Sequence, residues 1–311
     1  MRPAASILLL TTATGFGFGL LAWLGAYAAL GLLPPEAPVL LAAGITVSLI
    51  FASLGLAASV FHLERKERAW RAFTQWRSSW LSREGVAAVL IYPVAIAFGV
   101  CFWRDGQSLC TRLLGAATLI GSLGTVYCTA MIYASLKPIR QWHNAHTAPD
   151  YLLYALFSGA VLFAALRTVL LGAPGPMASV AAVMAAAAFA AKRAYWRHID
   201  GQAPLATLAA AIGTPNATAK ALDAPHFSEN FILRQMGFAI ARRHAARLRH
   251  LALGVGFALP LLLEVLAGVP IAPLTTTLLA LACAALGLLI ERWLFFGEAT
   301  HVAALYYGRP V

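Results

Sequence analysis

The sequence predicts an all-α integral membrane protein, a bundle of eight transmembrane helices with both termini on the cytoplasmic side. Three observations predict it. Of the 311 residues, 60% are hydrophobic and only 11% are charged, where soluble proteins carry about a quarter charged. Apolar runs of about twenty residues recur, each long enough to cross a hydrocarbon layer. Nearly all of the 23 Lys and Arg fall on one side of those runs, and a basic excess marks the cytoplasmic side. Gly and Ala are abundant, which lets membrane helices approach closely. No strand-like alternation is sustained, so a barrel is excluded.

In chain order the spans read as 6–33, 39–61, 85–103, 113–136, 151–171, 177–196, 250–269 and 273–296, in a single membrane domain over 1–311. Ala26-Tyr27-Ala28 looks like a cleavage site. The apolar run is longer than a signal core, however, and its basic leader is a lone Arg2, so the segment reads as a retained span. Pro34-Pro35-Glu36-Ala37-Pro38 breaks the first pair of helices, the stretch from Gly172 to Pro176 the third pair, and Gly268 to Pro273 the last. These are tight hairpins punctuated by Pro and Gly, and they hold no Lys or Arg.

The basic residues set the orientation. Arg2, the group in 62–84, Lys137, Arg140, those from Lys192 to Arg249, Arg292 and Arg309 fall on one side. Arg104 and Arg112 face the other, and Arg167 is inside a span. The protein is therefore expected in the cell's inner membrane with its long loops in the cytoplasm. The net charge of +11 reports this bias rather than nucleic-acid binding, since no basic, aromatic soluble module is present. The one sizeable insert is 197–249. It is irregular at first, and from Ser228 it reads as a basic helix carrying Arg234, Arg242, Arg243, Arg247 and Arg249. Such a helix suits anionic lipid or a docked partner, and the two uses are compatible.

Little in the spans can carry chemistry. None of the eight His is deep in a span, so haem ligation from facing helices is not expected. No HExxH or GxSxG occurs. The four Cys have no metal-binding spacing. Cys101 and Cys110 flank a short loop, a spacing that permits a disulfide. Arg167 and Glu264 both fall in the outer leaflet, where an unpaired charge is costly. An ion pair between them is the economical expectation, and separate snorkelling to the outer surface is the alternative.

The loop from Val60 to Gly85 is different. It holds His62, six Lys or Arg, three Glu and three Trp at one water–lipid boundary. His62 closes the second span and Glu84 opens the third, so both are expected at one depth. An imidazole with a pKa of about 6.5 exchanges protons near neutrality, and a partly buried carboxyl can be tuned to do so. Arg68 can favour negative charge developing nearby. These groups suit a quinone headgroup, whose oxygens gain and lose protons with electrons. The bland alternative is that His62 and Glu84 cap two helices while the Arg residues follow the topology bias.

The residues also resemble a family. His62-Leu63, the stretch Arg68-Ala69-Trp70-Arg71-Ala72-Phe73, and Ser79-Trp80-Leu81-Ser82-Arg83-Glu84 resemble the signature of the dimethyl sulfoxide reductase membrane-anchor family. Tyr133 to Trp142 and Met236 to Arg249 extend the likeness over nearly the whole chain. The resemblance implies the quinone-reactive anchor of a heterotrimeric molybdopterin oxidoreductase. It implies an iron–sulfur electron-transfer partner and a molybdopterin catalytic partner, with those cofactors confined to them. This chain would hold ubiquinone or menaquinone and no haem. The family's quinol-site His, Arg and Glu fall on His62, Arg68 and Glu84, with Trp70, Arg71, Trp76 and Arg77 as further candidates for the pocket or for contact with a partner. Glu64 and Lys66 depart from the family's Gly and Pro. The text leans towards the sulfite-oxidising members, and a quinol-oxidising reductase anchor, as in anaerobic respiration, is the alternative. A secondary transporter or channel is the reading from another class. It would show inverted repeats and polar midplane groups, which this sequence lacks.

Overall fold

The computed structural model describes residues 4–33, 37–61, 65–203, 207–214, 219, 244–269 and 272–303. Among them all regular structure is helical, and eight helices are long and apolar enough to cross a membrane. They are α1 (Ala5–Ala29), α2 (Ala37–Phe61), α3 (Trp80–Asp105), α4 (Leu109–Ala134), α5 (Thr147–Leu171), α6 (Pro176–Asp200), α7 (Ala245–Ala267) and α8 (Pro273–Gly297). His62, Glu64, Pro34-Pro35-Glu36 of the first break, residues 270–271 of the last and the basic helix from Ser228 to Arg243 fall outside the described residues.

Several helices are longer at their polar ends than the expected spans, whereas α1 and α4 end earlier, at Ala29 and Ala134. α3 begins at Trp80, so Glu84 is inside the helix rather than at its opening. α5 begins at Thr147 and takes in Asp150, and α6 runs on to Asp200. Hydropathy marks only the apolar stretch, while backbone hydrogen bonding continues a turn or more into polar sequence.

α1 is the hub. It packs against α2, α4 and α5 and touches α8. Two of its glycines allow this. A Cβ at Gly17 would stand 2.6 Å from the Ser48 carbonyl oxygen of α2, and one at Gly19 only 1.8 Å from that of Ala155 in α5. Only a residue without a side chain lets backbones meet so closely. The Trp23 indole then donates to the Leu156 carbonyl at 2.8 Å, fixing α1 against α5. α4 packs on α1, and α3 packs in turn on α4.

α7 is not a uniform helix. Its residues Gly254–Ala258 make a wider, π-type turn, with the Leu259 amide bonded to the Gly254 carbonyl. Pro260 follows at once and has no amide proton to give to the preceding turn. The wide turn is where the chain absorbs that loss. Gly256 and Gly287 then bring α7 and α8 into backbone contact.

At the end of the bundle away from the start of α1, one expectation fails. Arg167 and Glu264 do not pair. Arg167 Nε donates to the Pro174 carbonyl at 3.1 Å, in the α5–α6 hairpin. Gly175, with φ of 59°, leaves room beneath the guanidinium, where a Cβ would stand 2.7 Å from Nη2. Glu264 is fully buried, and neither of its oxygens has a hydrogen-bond partner among the described residues. A long guanidinium stem can reach the polar hairpin, and a carboxyl on a two-carbon stem cannot. Cys101 and Cys110 are both free thiols.

Candidate functional site

The loop between α2 and α3 folds back on the first turns of α3. Lys66–Phe73 forms a short 3-10 helix with Glu67 in its first turn. Three attachments seat it. The Ser82 hydroxyl donates to the Ala72 carbonyl and accepts from the Gln75 amide at 3.1 Å. Arg83 gives Nε to the Trp76 carbonyl at 2.9 Å and Nη2 to that of Arg77 at 2.7 Å. The Phe73 ring covers Gly85, where a Cβ would come within 3.2 Å of it. Arg83 also stacks on Trp80, 4.2 Å from the ring centre, and Trp80 meets Tyr127 of α4 edge-on. A strongly polar, aromatic stretch at a helix start is thereby held against the bundle by its own carbonyls.

Glu84 lies on the same first turns of α3. The side chain is buried, and Oε1 stands 2.6 Å from the Thr129 hydroxyl of α4. A carboxyl inside a membrane helix is costly and seeks a partner. Thr129 supplies one hydrogen bond, and the other oxygen takes none among the described residues. Glu84 accordingly faces α4 within the bundle, with the loop closing over Gly85 beside it.

The other candidates sit differently. Arg68, Trp70, Arg71 and Arg77 are all exposed. Arg71 rests against Trp70, 5.7 Å from the ring centre, and Arg77 against Trp76 at 5.4 Å. None of them forms an ion pair with Glu84 among the described residues. The loop thus offers guanidiniums and indoles to the surface at the end of α3 where Glu84 is buried.

Sequence reasoning missed a second group at the same end. Lys192 of α6 and the neighbours Glu291 and Arg292 of α8 are all buried. Lys192 Nζ binds Glu291 Oε1, and Arg292 Nε binds Oε2. Arg292 also stacks on Tyr151, 4.2 Å from the ring centre, and Lys192 on Tyr195 at 4.1 Å. Asp150 of α5 is buried close by, with the Tyr154 hydroxyl 3.5 Å from Oδ2. Lys192 and Arg292 are expected among the loop charges that set orientation. Both lie within the spans already expected, and the structure turns them into the bundle instead of leaving them at its polar surface. The signal that could have found them was the adjoining opposite charges Glu291-Arg292 at the end of an apolar run.

Comparison with known proteins bears on all of this. Residues 36–298 match the family model described as DMSO reductase anchor subunit (DmsC). Over an alignment of 328 residues the chain is 35% identical to a sulfite dehydrogenase subunit of Allochromatium vinosum, covering 99% of each chain.

Proposed function

Because the chain belongs to the DMSO reductase anchor subunit family, we propose that it is the quinone-reactive member of a three-subunit molybdopterin oxidoreductase. It holds the complex in the inner membrane, with the loop 62–84 and the insert 197–249 facing the cytoplasm. There it exchanges electrons between the quinone pool and an iron–sulfur subunit, which in turn serves a molybdopterin subunit. The similarity to a sulfite dehydrogenase subunit favours delivery of electrons from sulfite to quinone over the quinol-oxidising direction.

The observation that carries the reading is Glu84, a buried carboxyl with one oxygen held by Thr129 and the other left without a hydrogen bond among the described residues. Its neighbours in sequence Ser82, Arg83 and Gly85 hold a loop that offers guanidiniums and indoles. That donor set fits a quinone headgroup, since indoles and guanidiniums favour the lipid–water boundary and bind its ring and oxygens. When bound, a quinone supplies a two-electron couple whose two oxygens also gain and lose protons. Thr129 holds Oε1 of Glu84 in place, and the remaining oxygen gives or takes the proton. Arg68 brings positive charge to the boundary, with Arg71, Trp70 and Arg77 beside it. His62 is assigned the partner role in proton exchange, since an imidazole changes charge near neutral pH.

Replacement of His62 by Arg tests the reading. Membranes carrying the variant should retain both partner subunits and lose quinone-linked turnover. Turnover equal to the parent's would remove His62 from the mechanism. Glu84→Gln, which keeps shape and hydrogen bonding but not proton exchange, should behave in the same way.

A further inference from the structure

The hydroxyl that holds Glu84 and the guanidinium that holds Glu291 line one cavity. Thr129 of α4, Thr12 of α1, Tyr151 and Tyr154 of α5 and Arg292 of α8 all face it. It measures about 20 Å³, room for a single water. The hydroxyls of Thr12 and Tyr151 are buried and have no hydrogen-bond partner among the described residues. This is not what threonine does elsewhere in α1. Thr11 and Thr14 on either side bond back to the Ile7 and Leu10 carbonyls at 2.9 and 2.6 Å. Buried hydroxyls are seldom left unpaired, and a polar cavity with several such groups is where an internal water binds. Glu84 and Asp150 are both buried, so a proton that leaves one can be held inside the bundle by the other.

We propose that Thr129, a water in this cavity and the Tyr151, Tyr154 and Asp150 side chains form an internal proton path that serves Glu84. The path rests on the reading of Glu84 as the group that exchanges protons at a quinone headgroup. When Glu84 carries its acid proton on Oε1, the hydrogen bond that Thr129 otherwise donates to that oxygen reverses: the acid gives its proton to the Thr129 oxygen, and the hydroxyl turns and releases its own to the water. The water passes one on through the tyrosine hydroxyls, and Tyr154 hands its proton to Asp150. Each oxygen in between ends with the protons it began with. Glu84 becomes a carboxylate and Asp150 an acid, and no electron moves along the path. In the reducing direction the same steps run backwards. Arg292, fixed by Glu291 and stacked on Tyr151, supplies the charge that turns the water's oxygen and so orients the chain.

The test uses the intact complex in membranes and after purification. Thr129→Val keeps the side chain's shape and removes its hydroxyl, and Thr129→Ser puts one back. Thr129→Val and Asp150→Asn should each lower quinone-linked turnover about tenfold and enlarge its solvent deuterium isotope effect. Both should bind a fluorescent quinone analogue as tightly as the parent does, and Thr129→Ser should restore turnover. If Asp150→Asn does not assemble, Tyr154→Phe removes the same step with the ring in place. Parental turnover and isotope effect in Thr129→Val and in the Asp150 or Tyr154 variant, with Glu84→Gln inactive, would overturn the path and leave the site standing. Parental turnover in Glu84→Gln would overturn the site, and the path with it.

Discussion

Glu291 and Glu264 are both wholly buried, one near each end of the bundle, and they are housed in opposite ways. Glu291 binds a different cation with each oxygen, Lys192 and Arg292, and aromatic rings flank those cations. Glu264 has no partner for either oxygen among the described residues. The difference teaches that burial does not decide how a membrane carboxyl is stabilised. What decides it is whether a neighbouring helix brings a cation to the same depth. Lys192 reaches Glu291 from α6, and Arg292 stands beside it on α8. α5 brings Arg167 to the other end, but its stem reaches the hairpin carbonyl of Pro174 instead.

The largest effect should come from breaking the better-housed carboxyl. Glu291→Gln strands two buried cations, and removing one member of such a group costs about 3–5 kcal/mol. Denaturation of the purified protein in detergent should show a loss of that order. A loss below about 1 kcal/mol, small for a buried group, would mean that the two cations find other partners, and the contrast would collapse. Next comes the unpaired carboxyl. Leaving a buried polar group unsatisfied costs about 1–3 kcal/mol, so Glu264→Leu should stabilise the protein by about that much in the same measurement. Destabilisation would reveal a partner for Glu264, elsewhere in the chain or in another subunit. The smallest effect should be at Arg249, which binds Asp200 at 2.6 Å and Glu298 at 2.7 Å close to the Lys192 group. Asp200 is 56% exposed, and exposed pairs contribute about 0–1 kcal/mol. Asp200→Asn, which removes only the exposed arm of the Arg249 group, should therefore cost at most about 1 kcal/mol. A cost like that of Glu291→Gln would place Arg249 in the buried layer rather than at its rim.

Much of the fold was legible because a lipid-crossing helix announces itself in composition. The α5–α6 hairpin was legible for a similar reason, since Gly175 needs its positive φ and Pro176 can start a helix but not continue one. The boundary stretch was legible as unusual, and its Ser82, Arg83 and Gly85 prove to be the residues that seat it on α3. The buried ion group was not legible. Charge counting treats a Lys at a span's polar end as a loop residue, and nothing local distinguishes Lys192 buried beside Glu291 from Arg193 one position on, which is exposed. The Arg167–Glu264 expectation failed for a related reason. Equal depth in two spans says nothing about which helices are neighbours or which way each side chain turns.

The sequence by itself determined the material of this protein: how many apolar helices there are, where Pro and Gly break them, and which stretch gathers charge and indoles at a boundary. Those properties follow from single residues and their local periods, and water, lipid and backbone geometry act on each segment separately. Only the tertiary structure decided that α1 is the hub, that Glu84 rests on Thr129, and that Lys192, Glu291 and Arg292 share one site. Those depend on the rotation of each helix about its axis and on its choice of neighbour. Close backbone contacts at Gly17 and Gly19 set part of that choice, and they form only when the whole bundle packs.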